Sequence, residues 1–289
     1  MDMQDLHLRL EELQQNDYLY LHTCNVKELT STMMQQIGTI DAYTREMLIY
    51  PCFQYFIQHS LLENSQLEML LTSCLDANYL YFDISSSQTD GIFTRSYTLA
   101  LLTLIIQYDT EHPFLPENQL VDALEKILQY FKLEQDYRVY IPDKGYTRHI
   151  LHGSSALHAL IQNPNILNTH YEKVIHCLLN TTFHHQDIFY NNEDEYLITP
   201  LIAILQHKFP QKQFLSILTK KIQRLSQVKE RLTPTQFAIL YGNIKTFLRT
   251  FFFRTKKDIS LTNIPNQIER ILNQLPQYFY TSSNIQFII

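Results

Sequence analysis

The residues of this chain best suited to chemistry are four polar side chains that follow a loop, Arg148, His149, His152 and Ser155. On a helix, Arg148, His152 and Ser155 are separated by four and then three residues, so their side chains share one face. His149 and His152 are three residues apart, a spacing that two metal ligands can use. Groups of these types can bind an anion, exchange a proton or form part of a metal site.

A metal or acid–base site here would need further groups, because zinc and iron sites require about three or four converging ligands. The acidic run 193–195, or Asp90 together with Arg95, could supply them. The alternative is structural: Arg148 and His152 would join helix pairs through hydrogen bonds, as isolated polar residues on helices usually do. Because two histidines do not make a ligand set, we predict no metal and no cofactor.

Arg95 is a separate candidate for ligand or partner binding. It follows Thr94 at the expected start of a helix, where a positive charge interacts unfavourably with the helix dipole. This local conflict indicates a specific carboxylate or anion as its partner. Asp90 and Asp143 are the nearest candidates, and a structural ion pair is the expected role.

The elements that position these residues are predicted to be helices. The chain of 289 residues is 45% hydrophobic and 18% charged, which is typical of a folded protein, and its five glycines leave little material for hairpin turns. Apolar residues recur at helical spacing in about a dozen segments, for example at Leu6, Leu10 and Leu13. The most apolar helix is expected from Thr94 to about Tyr108. The sequence therefore predicts an all-α protein.

Helix boundaries follow from prolines and capping residues. Pro51 should kink or divide a helix that begins after Asp41, because proline lacks the backbone donor needed there. Ser65 is predicted to cap another helix in a capping box with Glu68. Thr233, followed by a proline, should begin a long helix.

Strands do not alternate with these helices, so a doubly wound sheet or a barrel is not indicated. Many helices with short connections pack as antiparallel neighbours and cannot share one four-helix core. We predict an irregular HEAT/armadillo-like superhelical stack of antiparallel helix pairs with a concave face. The chain 1–289 is expected to form a single elongated domain, with a soft division near 110–117, where two prolines lie.

Charge is distributed unevenly along the chain. Residues 208–258 include twelve Lys or Arg and two acidic residues, a formal charge of +10, whereas the whole chain carries −6. A surface in the segment 208–257 could bind nucleic acid or another anion. Its candidate residues are Lys220, Lys221, Arg224, Arg249 and Arg254. The alternative is that these residues form the solvated faces of helices and neutralise the acidic remainder of the chain.

The cysteines and the apolar segments indicate a compartment. Cys24, Cys52, Cys74 and Cys177 form no C-x-x-C pair and read as reduced, mostly buried thiols. The acidic start lacks the features of a signal peptide, and the longest apolar stretch is too short to span a bilayer. We predict a cytoplasmic protein without a membrane segment, and the oligomeric state is left open.

Two segments carry a resemblance to a known family. They are Asp-Gly-Ile-Phe-Thr-Arg-Ser-Tyr-Thr-Leu-Ala-Leu at 90–101 and Asp-Lys-Gly-Tyr-Thr-Arg-His-Ile-Leu-His-Gly-Ser-Ser-Ala-Leu at 143–157. Together with Asn-Glu-Asp-Glu-Tyr-Leu at 192–197 and the segment 243–253, they resemble DUF2785, a family of bacterial domains of unknown function. The resemblance implies a helical fold and no particular activity.

The best-marked segment of that family has Gly-Trp, then two histidines four residues apart, then an aspartate three residues further on. In this chain Gly145 matches, and Tyr146 replaces the tryptophan. Arg148 stands at the first histidine, His152 matches the second, and Ser155 stands at the aspartate. Two of the three polar positions therefore differ from the family pattern.

Three functions are compatible with the sequence. The first is a non-catalytic scaffold whose concave face binds a protein or another macromolecule; the absence of phosphate-loop, nucleophile-elbow and metalloprotease motifs favours it. The second is a metal-assisted or hydrolase-like enzyme with a site around Tyr146, Arg148, His149, His152 and Arg95. The third is nucleic-acid or anion binding through the segment 208–257.

Overall fold

The computed structural model describes residues 2–86 and 88–275, and most of them are α-helical. The α-helices, in chain order, are α1 (Met3–Gln15), α2 (Val26–Gln35), α3 (Tyr50–Gln58), α4 (Asn64–Cys74), α5 (Gly91–Glu111), α6 (Glu117–Leu133), α7 (His149–Gln162), α8 (Tyr171–Thr182), α9 (Glu193–Gln206), α10 (Gln211–Gln223), α11 (Leu225–Lys229), α12 (Pro234–Thr255) and α13 (Asn263–Gln274). The all-α prediction is confirmed. Residues 1, 87 and 276–289 of the predicted domain lie outside the described residues.

A few short elements accompany the helices. Single 3₁₀ turns lie at Leu21–Thr23, Asn168–His170 and Ile259–Leu261, and a π-helical segment lies at Thr44–Ile49. Two short strands, β1 (Tyr140–Ile141) and β2 (Gly145–Tyr146), pair antiparallel in the loop before α7. This small hairpin places Tyr146 and the following residues at the start of α7.

Helices that are not consecutive in the chain pack side by side and form two rows. In the first row α3 contacts α5, α5 contacts α7, α7 contacts α9, and α9 contacts α12. In the second row α6 contacts α8, and α8 contacts α10. Contacts between neighbours of the first row are the more extensive. The rows join because α6 also packs on α7, and α8 also packs on α9.

Helix α5 has neighbours on several sides, which explains its composition. Leu99, Ala100, Leu101 and Leu102 are consecutive, so their side chains point in different directions around the helix, and all four are buried. A helix that is apolar all round requires partners all round, and α5 packs against α3, α4 and α7. The helix that was predicted from Thr94 to Tyr108 is therefore confirmed, with about one further turn at its start and at its end.

Pro51 lies in the first turn of α3, and the helical backbone continues into α3 from the π-helical segment without a break. Since Pro51 has no N–H, the carbonyl of Met47 lacks its normal partner in the helix. The side-chain amide of Gln14 on α1 donates to that carbonyl at 2.9 Å. The π-helical geometry directs Arg45 into the interior, where it is fully buried, and leaves Glu46 half-buried at the surface.

The predicted caps were correct at one helix and wrong at another. Thr233 accepts from the backbone of Gln236 and forms a capping box at the start of α12, as expected. The capping box of α4 uses Glu63 and Gln66 in place of the predicted Ser65 and Glu68. A box shifted by two residues satisfies the same free N–H groups at the helix start.

Two findings bear on the predicted environment of the chain. Within residues 2–86 and 88–275, no helix has both the length and the apolar character needed to cross a bilayer. All four cysteines are free thiols; Cys52 and Cys74 are buried, and Cys24 and Cys177 are partly exposed.

Candidate functional site

A cleft of about 430 Å³ lies over α5, between the π-helical segment with α3 on one side and α7 on the other. Its lining residues are Glu46, Met47, Tyr50, Tyr97, Ala100, Thr103, Gln107, Arg148, Leu151, His152 and Ser155. The structure therefore brings Arg148, His152 and Ser155 into one cavity, as their spacing predicted.

Arg148 reaches the cleft from the residue before α7, not from within the helix as predicted. Its backbone is left-handed, with φ of 55°, and its carbonyl accepts the first helical bond, from the N–H of His152 at 2.9 Å. The guanidinium donates through Nη2 to Glu46 Oε2 at 3.1 Å and lies 5.5 Å from the ring centre of Tyr146. The side chain is 32% exposed, so the guanidinium remains accessible from the cleft.

Glu46 is shared between two arginines. Its Oε1 accepts from Arg45 Nη2 at 3.1 Å, while its Oε2 accepts from Arg148. Arg45 is fully buried over the ring of Phe93, and it also donates to the carbonyls of Thr39 and Lys144. The three charged groups together carry a net positive charge, because one carboxylate faces two guanidinium groups.

His152 is fixed as a neutral hydrogen-bond acceptor. Its Nδ1 lies 3.0 Å from the carbonyl oxygen of Ser96 and 3.1 Å from Ser96 Oγ. The carbonyl only accepts, so the tautomer that satisfies it carries the proton on Nδ1 and leaves the lone pair on Nε2. The ring lies 5.0 Å from that of Tyr97 and 6.3 Å from that of Tyr50. Burial, together with the nearby Arg148, lowers the pKa of His152 to about 3. The imidazole is therefore uncharged at neutral pH.

His149 does not share the site of His152. It is buried at the first position of α7, with its ring 5.6 Å from that of Tyr137 and its Nδ1 3.4 Å from Thr147 Oγ1. Its Nε2 has no hydrogen-bond partner among the described residues. The two histidines thus contact different neighbours.

The acidic groups that could have supplied further ligands have other hydrogen-bond or ion-pair partners. Glu193 accepts from the backbone N–H groups of residues 190 and 191, and Glu195 pairs with Arg254. Asp90 binds Lys144 Nζ at 2.7 Å. Across the part of the chain that the structure describes, no three His, Cys, Asp or Glu side chains converge in a way that could hold a metal ion.

Arg95 forms the structural ion pair that was expected, but with a different carboxylate. Its Nε and Nη2 donate to the two carboxylate oxygens of Glu134, at 2.7 and 3.0 Å, and its Nη1 donates to the carbonyl of Phe82 at 2.9 Å. Asp90 and Asp143 were the wrong partners. Both side chains of the pair are buried, so Arg95 is not available to a ligand.

The five basic candidates are divided between helices and partners. Arg254 pairs with Glu195, which is the internal neutralisation that the alternative interpretation described. Lys221 donates to Asn180 and lies over the ring of Phe183, and partial burial lowers its pKa to about 8. Lys220, Arg224 and Arg249 are exposed, and so is Arg254.

Comparison with known proteins places the chain in a family. A model of a protein family of unknown function, DUF2785, matches residues 80–253, which is more than half of the chain. The chain belongs to the DUF2785 family. Comparisons with curated proteins and with solved structures gave no match.

The region that matches DUF2785 supplies only part of the cleft. Tyr97, Arg148 and His152 lie within the matched residues 80–253, whereas Glu46 and Tyr50 precede them. The segment from Gly145 to Ser155 therefore faces residues from outside the match. The cleft depends on both parts of the chain.

Several cleft residues were missed by the sequence analysis. Glu46 and Tyr50 lie next to Pro51, and that proline was the available signal, since π-helical segments occur frequently at functional sites. Tyr97 and Gln107 lie on α5, whose even apolar character hides which face meets a cavity. No local pattern distinguishes these two residues.

Acid is expected to destabilise the protein through His184, a neutral buried histidine. Its Nε2 accepts from Asn243 Nδ2 at 3.2 Å, and its ring stacks on Tyr137 at 4.0 Å. Burial lowers the pKa of His184 to about 3, below about 6.5 in the unfolded chain. The folded state therefore binds fewer protons, and the free energy of unfolding falls as the pH decreases from about 6.5 towards 3, by up to about 1.4 kcal/mol per pH unit.

Urea unfolding at pH 7 and pH 5 measures this effect. We expect the His184→Gln variant to lose less stability over this interval than the wild type. His185→Gln is the matched control, because it removes a histidine from the same loop and leaves the contact with Asn243 intact. Equal losses of stability between pH 7 and pH 5 in the wild type and both variants would contradict the assignment of this effect to His184.

Proposed function

We propose that this chain is a non-catalytic binding module that holds a segment of another protein in the cleft over α5. In this proposal the helices form an irregular HEAT/armadillo-like superhelical stack of antiparallel pairs. The two rows of helices support it, because each helix packs mainly on the adjacent helices of its own row and of the other row, as in repeat proteins.

The row of α3, α5, α7, α9 and α12 is proposed as the concave side of the stack. In a curved stack the inner row is the more crowded one, and the contacts within this row are the more extensive. The cleft lies across three helices of this row. Concave surfaces of this kind are where helical-repeat proteins bind their partners.

The observation that carries the proposal is the chemistry of His152 and its neighbours. A general base works best with a pKa near the operating pH, whereas the pKa of His152 is lowered to about 3. It therefore presents a fixed acceptor at Nε2, beside a fixed cation at Arg148. These groups suit recognition better than proton transfer.

A second cavity makes the binding surface long enough for a protein segment. It has a volume of about 590 Å³ and lies over the later turns of α5, between the end of α3 and the end of α7. Gln107 lines both cavities, so the two lie next to each other along α5, and we propose that they act as one binding groove. We call this surface the α5 groove.

The proposed location is the cytoplasm. Four free thiols, two of them buried, are compatible with a reducing compartment, where cysteines of folded proteins remain unpaired. The partner would accordingly be another cytoplasmic protein.

Site-specific photo-crosslinking tests the binding function. A photoreactive residue at Gln107, in the α5 groove, should capture one partner protein, while the same residue at Lys132, exposed on α6 in the other row, should not. The captured protein, once purified, should bind the wild-type chain. Failure of capture at Gln107, or turnover of a small substrate that requires His152 or Arg148, would overturn the proposal and favour an enzyme.

A further inference from the structure

We infer that the α5 groove binds an extended peptide segment of about six residues, whose carboxylate group pairs with Arg148. This inference rests on the proposed binding function and names its ligand. The supporting observations are the charge at one end of the groove, the length of the groove and the polar side chains along it.

The charge of the cleft favours one negatively charged group. Glu46 and Arg148 are its charged lining residues, and the buried Arg45 lies behind Glu46 and already compensates that carboxylate. One donor position of Arg148, Nη2, is used by Glu46, and a guanidinium has five N–H donors in a planar fork. A carboxylate matches this fork, because two parallel hydrogen bonds can form.

Nearby groups add direction to this contact. His152 offers the lone pair of Nε2, which can accept a backbone N–H of a bound chain. Tyr50 and Tyr97 both lie next to that imidazole, with their ring centres 6.5 Å apart, and provide aromatic surface. A peptide carboxylate with its preceding N–H supplies both the acceptor that Arg148 requires and the donor that His152 requires.

The length of the groove sets the size of the ligand. The α5 residues that line it extend from Tyr97 to Glu111, which is roughly 21 Å of helix at about 1.5 Å per residue. An extended chain covers about 3.3 to 3.6 Å per residue. About six residues therefore fill the groove.

Amide side chains from three helices line the rest of the groove. Gln58 on α3, Gln107 on α5 and Gln162 on α7 are all exposed. Each amide has a donor and an acceptor and can pair with a peptide group irrespective of the side chain that the ligand carries. This pattern suits an extended backbone.

A nucleic acid fits the groove less well. Polyanion binding requires several cations along the path of the phosphates, but Arg148 is the one Lys or Arg among the described residues that line the two cavities. Glu111 also lines the far cavity and would repel a phosphate. The charge pattern therefore favours a single carboxylate at one end.

The test uses the full chain and a random hexapeptide library displayed with a free C terminus. An enriched peptide is synthesised as the acid, as the C-terminal amide, and with each Asp or Glu replaced by Asn or Gln. The Kd of the wild type should rise about 10- to 100-fold on the loss of one carboxylate. Which replacement causes the rise tells whether the chain end or a side chain is the ligand.

Variants assign the effect to Arg148. Arg148→Gln should weaken binding of the acid peptide by a similar factor and remove the difference between the peptides, and Arg148→Lys should retain part of it because the charge remains. Arg249→Gln, at an exposed arginine of α12, is the matched control and should bind like the wild type. The unfolding midpoints of all variants are measured to verify that they are folded.

Other outcomes would overturn the inference. They are enrichment of no peptide, equal affinity for every form of the peptide, or displacement of the peptide by a single-stranded DNA oligonucleotide or by a second copy of the chain. Crosslinking at Gln107 tests the proposed binding function independently of the peptide experiments. If a captured partner binds the Arg148→Gln variant as well as the wild type, the proposed binding function stands and the carboxylate contact with Arg148 is wrong.

Discussion

Replacing Arg95 with methionine is expected to lower the free energy of unfolding by about 3–5 kcal/mol. The change removes one member of a buried ion pair, whose side chains are 1% and 2% exposed. Glu134 would keep its charge in a site where water cannot replace the two lost hydrogen bonds from Arg95. An uncompensated buried charge is one of the few causes of such large losses.

A double variant separates the charge from the packing. The double variant Arg95→Met/Glu134→Gln removes both charges. We therefore expect it to lose clearly less free energy of unfolding than the sum of the losses in the two single variants. The backbone N–H groups of Gln135 and Asp136 that bind Glu134 Oε1 can still bind a glutamine oxygen. Chemical unfolding of the four proteins provides the measurement. A loss below about 1 kcal/mol for the first variant would show that the pair is solvated.

The second large effect is expected at Gly38, where the chain after α2 meets α5. A methyl group at this position would lie 2.5 Å from Cα and 2.6 Å from N of Thr94. These are backbone atoms, which cannot rotate away like a side chain, so the two segments must separate. We expect Gly38→Ala to lower the free energy of unfolding by about 1–3 kcal/mol, the usual range for overpacking. The midpoint of thermal unfolding should fall accordingly.

Gly242→Ala is the opposite case and serves as the control. Gly242 lies inside α12, and its added methyl group would meet one atom, Ile188 Cδ1, at an ordinary 3.8 Å. Alanine favours a helix over glycine by roughly 0.5–1 kcal/mol, so the variant should be more stable than the wild type. Similar effects at the two positions would contradict the packing at Gly38.

Much of the helical structure could be predicted because its causes are local. The spacing of Leu6, Leu10 and Leu13 and the threonine–proline pair at 233 act within a few residues, and the structure confirms both. The partner of Arg95 was predicted wrongly because it depends on distant packing. Glu134 is 39 residues away in sequence and contacts Arg95 only once the fold has brought the residue after α6 to α5.

The site was predictable to the same extent. Arg148, His152 and Ser155 come together because they are neighbours in sequence near one helix start. Glu46, about 100 residues before Arg148, could not be paired with it from local spacing. Periodicity indicates which residues a helix buries, but not which helix it packs against, so one side of the cleft remained unassigned.

The position of the cleft across three helices has a mechanical consequence. Its two sides belong to α3 and α7, which are separated by α5. When α3 and α7 tilt about α5, the distance between the sides changes, and the contact between Glu46 and Arg148 spans that distance. A ligand that contacts both sides therefore stiffens this part of the chain against bending. By linkage, a force that bends the helices lowers the affinity for the ligand to the same degree. The stiffness of this part of the chain and the fraction of chains with ligand bound therefore report on the same binding equilibrium.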